Sequence, residues 1–170
     1  MQILPTVLVA AVAITQTFSF GSRPKRSDPV VVTSVTDGDT ITVARFGRIR
    51  LLGIDAPEMG HGFDTAAPFA EEARDRLREM VVHRWVRLEQ EGATFDVYHR
   101  RLAYVFREDG VFINAALVRD GLARVTAREP LARLDELKRA EAEAKSFRRG
   151  MWGGAPRIPR PGYTRDPAQP

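Results

Sequence analysis

Residues 37–58 read DGDTITVARFGRIRLLGIDAPE, and this stretch decides how the rest of the chain is interpreted. Runs rich in β-branched residues stand on both sides of DGDT (37–40), at 30–36 and 41–47. DGDT is therefore predicted to form the turn of a β-hairpin. Residues 48–54 are predicted as a third strand that follows the hairpin directly.

The same stretch carries four carboxylates, and an arginine lies inside its third strand: Asp37, Asp39, Asp55, Glu58 and Arg50. If the three strands are neighbours, Asp39 and Asp55 lie at strand ends and can converge. Two such carboxylates suit Ca²⁺ or Mg²⁺. A third carboxylate could then activate water, and Arg50 could neutralise a phosphate. The alternative is a hairpin whose acidic residues only form its turn, because Asp-Gly is common in turns.

Two more strands and three helices are predicted downstream. Alternating apolar residues predict strands at 85–92 and 101–107. Apolar residues at helical spacing predict helices at 68–82, at 112–121 and from Pro130 to Gly150. Five short strands with a helix between the third and the fourth predict an α+β fold, a five-stranded OB-type barrel with three helices.

Four motifs in this order resemble the staphylococcal nuclease (thermonuclease) family. They are DGDT at 37–40, RLLGIDAPE at 50–58, DVYHR with RLAYV at 96–105, and NAALVRDGLARV at 114–125. The resemblance covers roughly residues 30–152. It implies an OB-fold domain there and a calcium-dependent nuclease acting on DNA and RNA. It also implies cleavage of the P–O5′ bond, which leaves 3′-phosphate products.

The resemblance implies a calcium site built from oxygen atoms. Asp39 and Asp55 match the carboxylates that bind Ca²⁺, and the backbone carbonyl of Ala56 would be a third ligand. The family prototype has threonine at the position of Ala56, and a carbonyl ligand survives that change. Asp37 would order the ligands or a metal-bound water from behind them.

The resemblance also assigns the groups that act on the substrate. Glu58 matches the proposed general base, or the residue that orients the attacking water. Arg50 and Arg100 match the two phosphate clamps, and Tyr98 matches a residue that hydrogen-bonds the terminal phosphate. Ala127 replaces an aromatic residue near the base pocket, which leaves the substrate preference open.

Two other functions are consistent with the sequence. An OB-type module could bind nucleic acid or a protein without cutting, and an acidic site could bind Ca²⁺ only for stability. Because all the matched carboxylates and arginines are present, the nuclease is favoured over both. The predicted state is a monomer.

The two ends of the chain differ in composition from its centre. Residues 1–20 carry no charge and predict an export signal or, alternatively, a membrane tether through residues 3–20. Residues 21–29 are predicted as a linker, and residues 153–170 as a disordered tail rich in Pro and Arg. The expected location is secreted or periplasmic, with a membrane-anchored protein as the alternative.

Most of the positive charge also lies at the two ends. The chain has a net charge of +4, but residues 30–147 contain 18 basic and 20 acidic residues. The high pI is therefore a property of the flanks, and arginine-rich flanks could hold nucleic acid or could reflect coding bias alone. The chain has no cysteine, which excludes disulfides and thiolate metal sites.

Overall fold

The structure is a computed structural model that describes residues 26–60, 65–127 and 130–154. The strands of the described residues are β1 (Val30–Asp37), β2 (Thr40–Val43), β3 (Gly47–Leu51), β4 (Ile54–Asp55), β5 (Trp85–Glu89), β6 (Arg101–Arg107) and β7 (Arg124–Val125). The helices are α1 (Ala70–Val81), α2 (Ile113–Arg119) and α3 (Leu134–Ser146), followed by a 3₁₀ turn at Gly150–Trp152.

Five of the strands close a barrel in the order β1, β2, β3, β6 and β5. β3 and β6 run parallel, and the other neighbours are antiparallel. The barrel core is filled by apolar strand residues, and Val32, Ile41, Ile49, Leu51 and Val86 are fully buried. The prediction of an α+β fold with a five-stranded OB-type barrel and three helices is confirmed.

The predicted third strand is wrong in its last part. β3 ends at Leu51, and Gly53 takes a φ of +78°, a left-handed conformation that breaks the strand. A Cβ at Gly53 would lie 2.9 Å from a methyl carbon of Leu137, so the turn packs directly on α3. β4 therefore leaves the barrel and pairs with β7 in a separate small sheet.

Two of the predicted helices begin later than expected. α1 begins at Ala70 because Phe69 has a φ of 72°, which is incompatible with a helix that starts at 68. α3 begins at Leu134 and not at Pro130, since the chain first makes a turn in which the N–H of Leu134 donates to Leu131 O at 3.0 Å.

Residues 26 and 27, which were predicted to belong to the linker, already pack on the barrel. The N–H of Ser27 donates to the carbonyl of Leu88 at 2.7 Å, and Arg26 forms an ion pair with Glu89 at 3.1 Å. The predicted signal or tether, residues 21–25 of the predicted linker and residues 155–170 of the predicted tail lie outside the described residues. Over the described ranges, no helix has the length and apolar character needed to cross a membrane.

Gly38 is required by a close approach of chain segments. A Cβ at Gly38 would lie 2.6 Å from Cβ of Ala56 and 2.7 Å from Cβ of Ala73 on α1. The turn at 37–40 thus rests on both the helix and the segment after β4. This contact fixes the position of Asp39 relative to Asp55.

We expect Gly38→Ala to lower the free energy of unfolding by about 1–3 kcal/mol, because the added methyl overpacks this contact. Urea denaturation of the wild-type chain and the variant measures the difference. Ala73→Gly opens space on one side of this contact but itself costs about 1 kcal/mol in a helix. The double variant is therefore expected to lose less than the sum of the two single losses. An unchanged free energy of unfolding in Gly38→Ala would contradict this packing.

Candidate functional site

Arg50 lies at the centre of a group of charged side chains at one end of β3. Its Nη1 is 2.9 Å from Oδ2 of Asp39, and its Nη2 is 2.7 Å from Oδ1 of Asp55. Nη1 also donates to the carbonyl of Ile54 at 2.9 Å. One guanidinium therefore bridges two carboxylates that are 16 positions apart in the sequence.

Asp39 is a buried carboxylate, with 5% of its surface exposed. Its Oδ2 accepts the N–H of Ala56 at 2.8 Å, and its Oδ1 accepts the hydroxyl of Thr40 at 3.2 Å. Asp37 fixes the backbone of Asp39, because the Oδ1 of Asp37 accepts the N–H of Asp39 at 3.0 Å.

Burial raises the pKa of Asp39 to about 7, and the nearby carboxylate of Asp37 acts in the same direction. Arg50 and the N–H of Ala56 act against this rise without cancelling it. The negative charge of Asp39 is thus only partly compensated, and an additional cation would stabilise its ionised form.

Arg100 lies in the turn just before β6. Its Nε donates to Oδ2 of Asp96 at 2.7 Å, and its backbone N–H donates to Oδ1 of Asp96 at 2.9 Å. Its Nη1 is 3.4 Å from Oγ1 of Thr40, the hydroxyl that also contacts Asp39. Thr40 therefore links Arg100 to Asp39, which in turn pairs with Arg50.

Asp96 is a site residue that the sequence reasoning did not assign. Burial acts to raise its pKa, but hydrogen bonds from the backbone and side chain of Arg100 and from the N–H of Tyr98 hold the pKa below its ordinary value. Its ionised carboxylate closes the turn and fixes the side chain of Arg100. An aspartate at the start of a tight turn was the available signal.

Tyr98 lies at the exposed tip of the same turn. Its side chain is largely in solvent, and the guanidinium carbon of Arg100 lies 5.3 Å from the centre of its ring. His99 follows with a φ of 57°, in the left-handed region. The turn thus presents Tyr98 beside Arg100 at the edge of the site.

Glu58 is exposed and lies on a cavity of about 270 Å³ next to the carboxylates. The cavity is lined by Asp55, Ala56, Pro57, Glu58, Ala67, Pro68, Arg124 and Met151. Arg124 was not predicted as a site residue. It reaches the cavity because β7 places it opposite Asp55. The strands of this small sheet have two residues each, which is too short for a periodic pattern in the sequence.

The structure thus gives a place to each residue that the sequence selected. Direct contacts join Asp37, Asp39, Arg50, Asp55 and the backbone of Ala56. Arg100 joins this network through Thr40, and Tyr98 lies against Arg100. Glu58 shares the neighbouring cavity with Asp55 and Ala56.

The donor atoms fit a hard divalent cation. Asp39 and Asp55 both contact the same positive group, the guanidinium of Arg50, so both carboxylates reach one cationic centre. Every candidate donor is an oxygen, which suits Ca²⁺ or Mg²⁺. Within 26–60, 65–127 and 130–154 no cluster of three or more His, Cys, Asp or Glu side chains is arranged around a metal position. The predicted set asks for only two carboxylates and one carbonyl.

A closed five-stranded barrel with a network of carboxylates and arginines at the end of β3 defines an OB-type domain. The model of the staphylococcal nuclease homologue family matches residues 48–154. The chain belongs to the staphylococcal nuclease family.

Individual relatives agree with this assignment. The chain is 32% identical over 139 residues to a thermonuclease of Staphylococcus intermedius, which covers 79% of this chain and 82% of that protein. It is 33% identical over 125 residues to a thermonuclease of Staphylococcus hyicus, and the match covers 71% of this chain and 73% of that protein. It is 36% identical over 129 residues to Endonuclease YncB of Bacillus subtilis (strain 168), with 72% of this chain and 61% of that protein covered.

Proposed function

We propose that the protein is a calcium-dependent nuclease that hydrolyses phosphodiester bonds of DNA and RNA, and that it cleaves the P–O5′ bond to leave 3′-phosphates. That it is a phosphodiester-hydrolysing nuclease follows from its family and from relatives named thermonuclease and endonuclease. The observation that carries the proposal is the contact network that links Arg50 and Arg100 to Asp39 and Asp55.

The two arginines are the groups that bind the phosphate. A guanidinium offers a planar pair of donors that matches two phosphate oxygens. Arg50 approaches the site from β3, and Arg100 approaches it from the turn before β6. The carboxylate of Asp96 accepts hydrogen bonds from the backbone N–H and the Nε of Arg100. The Nη groups of Arg100 therefore keep a fixed direction. Such pre-oriented donors stabilise the charge that grows on the phosphate oxygens as water attacks.

Glu58 is the group that activates water. It is exposed and beside the carboxylate cavity, so it can take a proton from a water molecule there. The oxygen of that water attacks phosphorus while the P–O5′ bond breaks. The O5′ atom leaves with the bonding electron pair and takes a proton from solvent, and Glu58 returns its proton to solvent, which gives a 5′-hydroxyl and a 3′-phosphate.

Asp39, Asp55 and the carbonyl of Ala56 are the groups that would hold the calcium ion. When bound, the ion supplies positive charge for the phosphate and a fixed position for the nucleophile. It would also supply the compensation that the buried Asp39 lacks.

The product ends and the metal requirement test this proposal. The full chain is incubated with a single-stranded DNA and with an RNA, each with Ca²⁺, with Mg²⁺ or with chelator. The proposal predicts cleavage with Ca²⁺, products that accept phosphate from polynucleotide kinase at their 5′ ends, and 3′ ends that a polymerase cannot extend. Products with 5′-phosphates and free 3′-hydroxyls would contradict the proposed bond cleavage.

We expect Asp96→Asn to lower kcat of cleavage by about 10- to 100-fold, because Arg100 loses a charged partner and is no longer fixed. Asp96 acts through Arg100, so the loss should be small when Arg100 is already replaced. A double-mutant cycle of Asp96→Asn with Arg100→Ala measures this coupling. Additive losses in the cycle would contradict the positioning role.

We also propose that the protein is exported and that residues 1–20 are its signal. The support is the uncharged apolar run at the start of the sequence. Expression of the full chain in bacteria, followed by N-terminal sequencing of the extracytoplasmic protein, tests it. An intact N-terminus in the membrane fraction would support the tether instead, and protein confined to the cytoplasm would contradict export.

A further inference from the structure

Two exposed aromatic rings hold one arginine beside the β2–β3 hairpin: Phe46 lies at the hairpin tip, Phe95 lies in the loop before β6, and Arg101 begins β6. The guanidinium carbon of Arg101 lies 4.8 Å from the ring centre of Phe95 and 5.4 Å from that of Phe46. Phe95 and Arg101 pair across the loop that precedes β6. The rings remain 49% and 40% exposed, respectively. We call these three residues the Phe–Arg–Phe cluster.

The charge of Arg101 has no counter-ion among the described residues. None of their ion pairs includes Arg101, and its buried Nε has no hydrogen-bond partner. A guanidinium that is held by two rings and lacks a carboxylate is prepared to bind an anion.

A cavity of about 270 Å³ opens beside the cluster. It is lined by Arg26, Ser27, Phe46, Leu88, Gln90 and Arg101. Leu88 and Phe46 provide apolar surface, and the remaining side chains provide polar groups. The volume of this cavity is slightly less than the roughly 300 Å³ at which pockets for drug-sized molecules begin. The cavity therefore suits a single flat ring with an attached anion.

The exposed face of β3 leads from the candidate nuclease site to the cluster. Alternate residues of a strand share a face, so Arg48 lies about 7 Å from Arg50 on that face. Its neighbour on β2 is the small residue Thr42, and the hairpin tip with Phe46 follows. In OB barrels this face and the adjoining loops are where oligonucleotides bind.

We propose that the Phe–Arg–Phe cluster is a second contact site for the single-stranded part of the nucleic acid substrate. Arg101 binds a backbone phosphate, and Phe46 and Phe95 stack with bases. Stacking on aromatic rings beside a cation is the usual way in which single strands are held without regard to sequence. This inference rests on the proposed nuclease function for the identity of the ligand.

Binding without cutting tests the inference. Fluorescence anisotropy in chelator measures how the full chain binds a labelled oligothymidylate of about twelve nucleotides, within the span that single-strand sites cover. We expect Phe46→Ala with Phe95→Ala to weaken this binding by about fivefold to a hundredfold. Binding of a single nucleotide, which is too short to reach both sites, should not change. Arg101→Gln should reduce the slope of log Kd against log salt by about 0.7.

Phe147→Ala and Arg139→Gln are the matched controls, because both residues are exposed on or beside α3. The inference is overturned if the double variant binds the long oligonucleotide as tightly as the wild type. It is also overturned if the affinity for the single nucleotide falls equally, or if light scattering shows that the rings hold two copies of the chain together. Cluster-dependent binding by a chain that cuts nothing would refute the proposed function and leave this inference standing.

Discussion

Glu58→Gln is expected to lower kcat for phosphodiester cleavage by about 10²- to 10⁴-fold, the usual contribution of a general base. Glutamine keeps the size and polarity of the side chain but cannot take a proton from water. Glu58 is exposed, and no ion pair of the described residues includes its side chain, so the fold should be unaffected. Single-turnover cleavage of a labelled single-stranded DNA measures the loss.

Two comparisons make the Glu58 result specific. Glu72→Gln removes the same charge from an exposed position on α1 and should leave the rate unchanged. Affinity of Glu58→Gln for the DNA in chelator should match that of the wild type, since Glu58 does not contact the phosphate. A Glu58→Gln variant that cuts at the wild-type rate would remove Glu58 from the mechanism and favour a binding module.

Arg100→Ala is expected to lower kcat by about 10²- to 10³-fold, the typical loss when one donor to a transition-state oxyanion is removed. Arg100→Lys should recover only part of the rate, because an ammonium retains the charge and loses the planar pair of donors. The loss should appear mainly in kcat, since the charge that Arg100 stabilises grows during the reaction.

Arg139→Gln is the control for loss of positive charge, because Arg139 is exposed on α3. Thermal unfolding of Arg100→Ala must also be measured, since Asp96 loses the partner of its carboxylate. A loss confined to KM, with kcat unchanged, would mean that Arg100 only contributes to general attraction of the substrate.

The barrel could be predicted because the residues that build it leave a periodic signal. Val30–Asp37 and Thr40–Val43 are β-branched runs on both sides of an Asp-Gly turn, and their apolar side chains at Val30, Val32, Val35, Ile41 and Val43 fill the barrel interior. The site residues at 37–58 could be selected because they lie at the ends of predicted strands and match motifs of the family.

The parts that could not be predicted depend on contacts between distant segments. β4 and β7 have two residues each, which is too short for any periodicity, and so the approach of Arg124 to Asp55 was not foreseen. The bridge that Arg50 makes between Asp39 and Asp55 depends on the turn at Gly53. The cluster of Phe46, Phe95 and Arg101 joins two loops that are far apart in the sequence.

The central claim is tested by cleavage of single-stranded DNA by the full chain. The reaction is run with Ca²⁺ and with chelator, beside the variants Glu58→Gln and Arg100→Ala. The claim is that Asp39, Asp55, Glu58, Arg50 and Arg100 form one nuclease site. It predicts rapid cutting by the wild-type chain with Ca²⁺, none with chelator, and losses of at least about a hundredfold in both variants. Cutting that persists in chelator, or variants that cut as fast as the wild type, would contradict it.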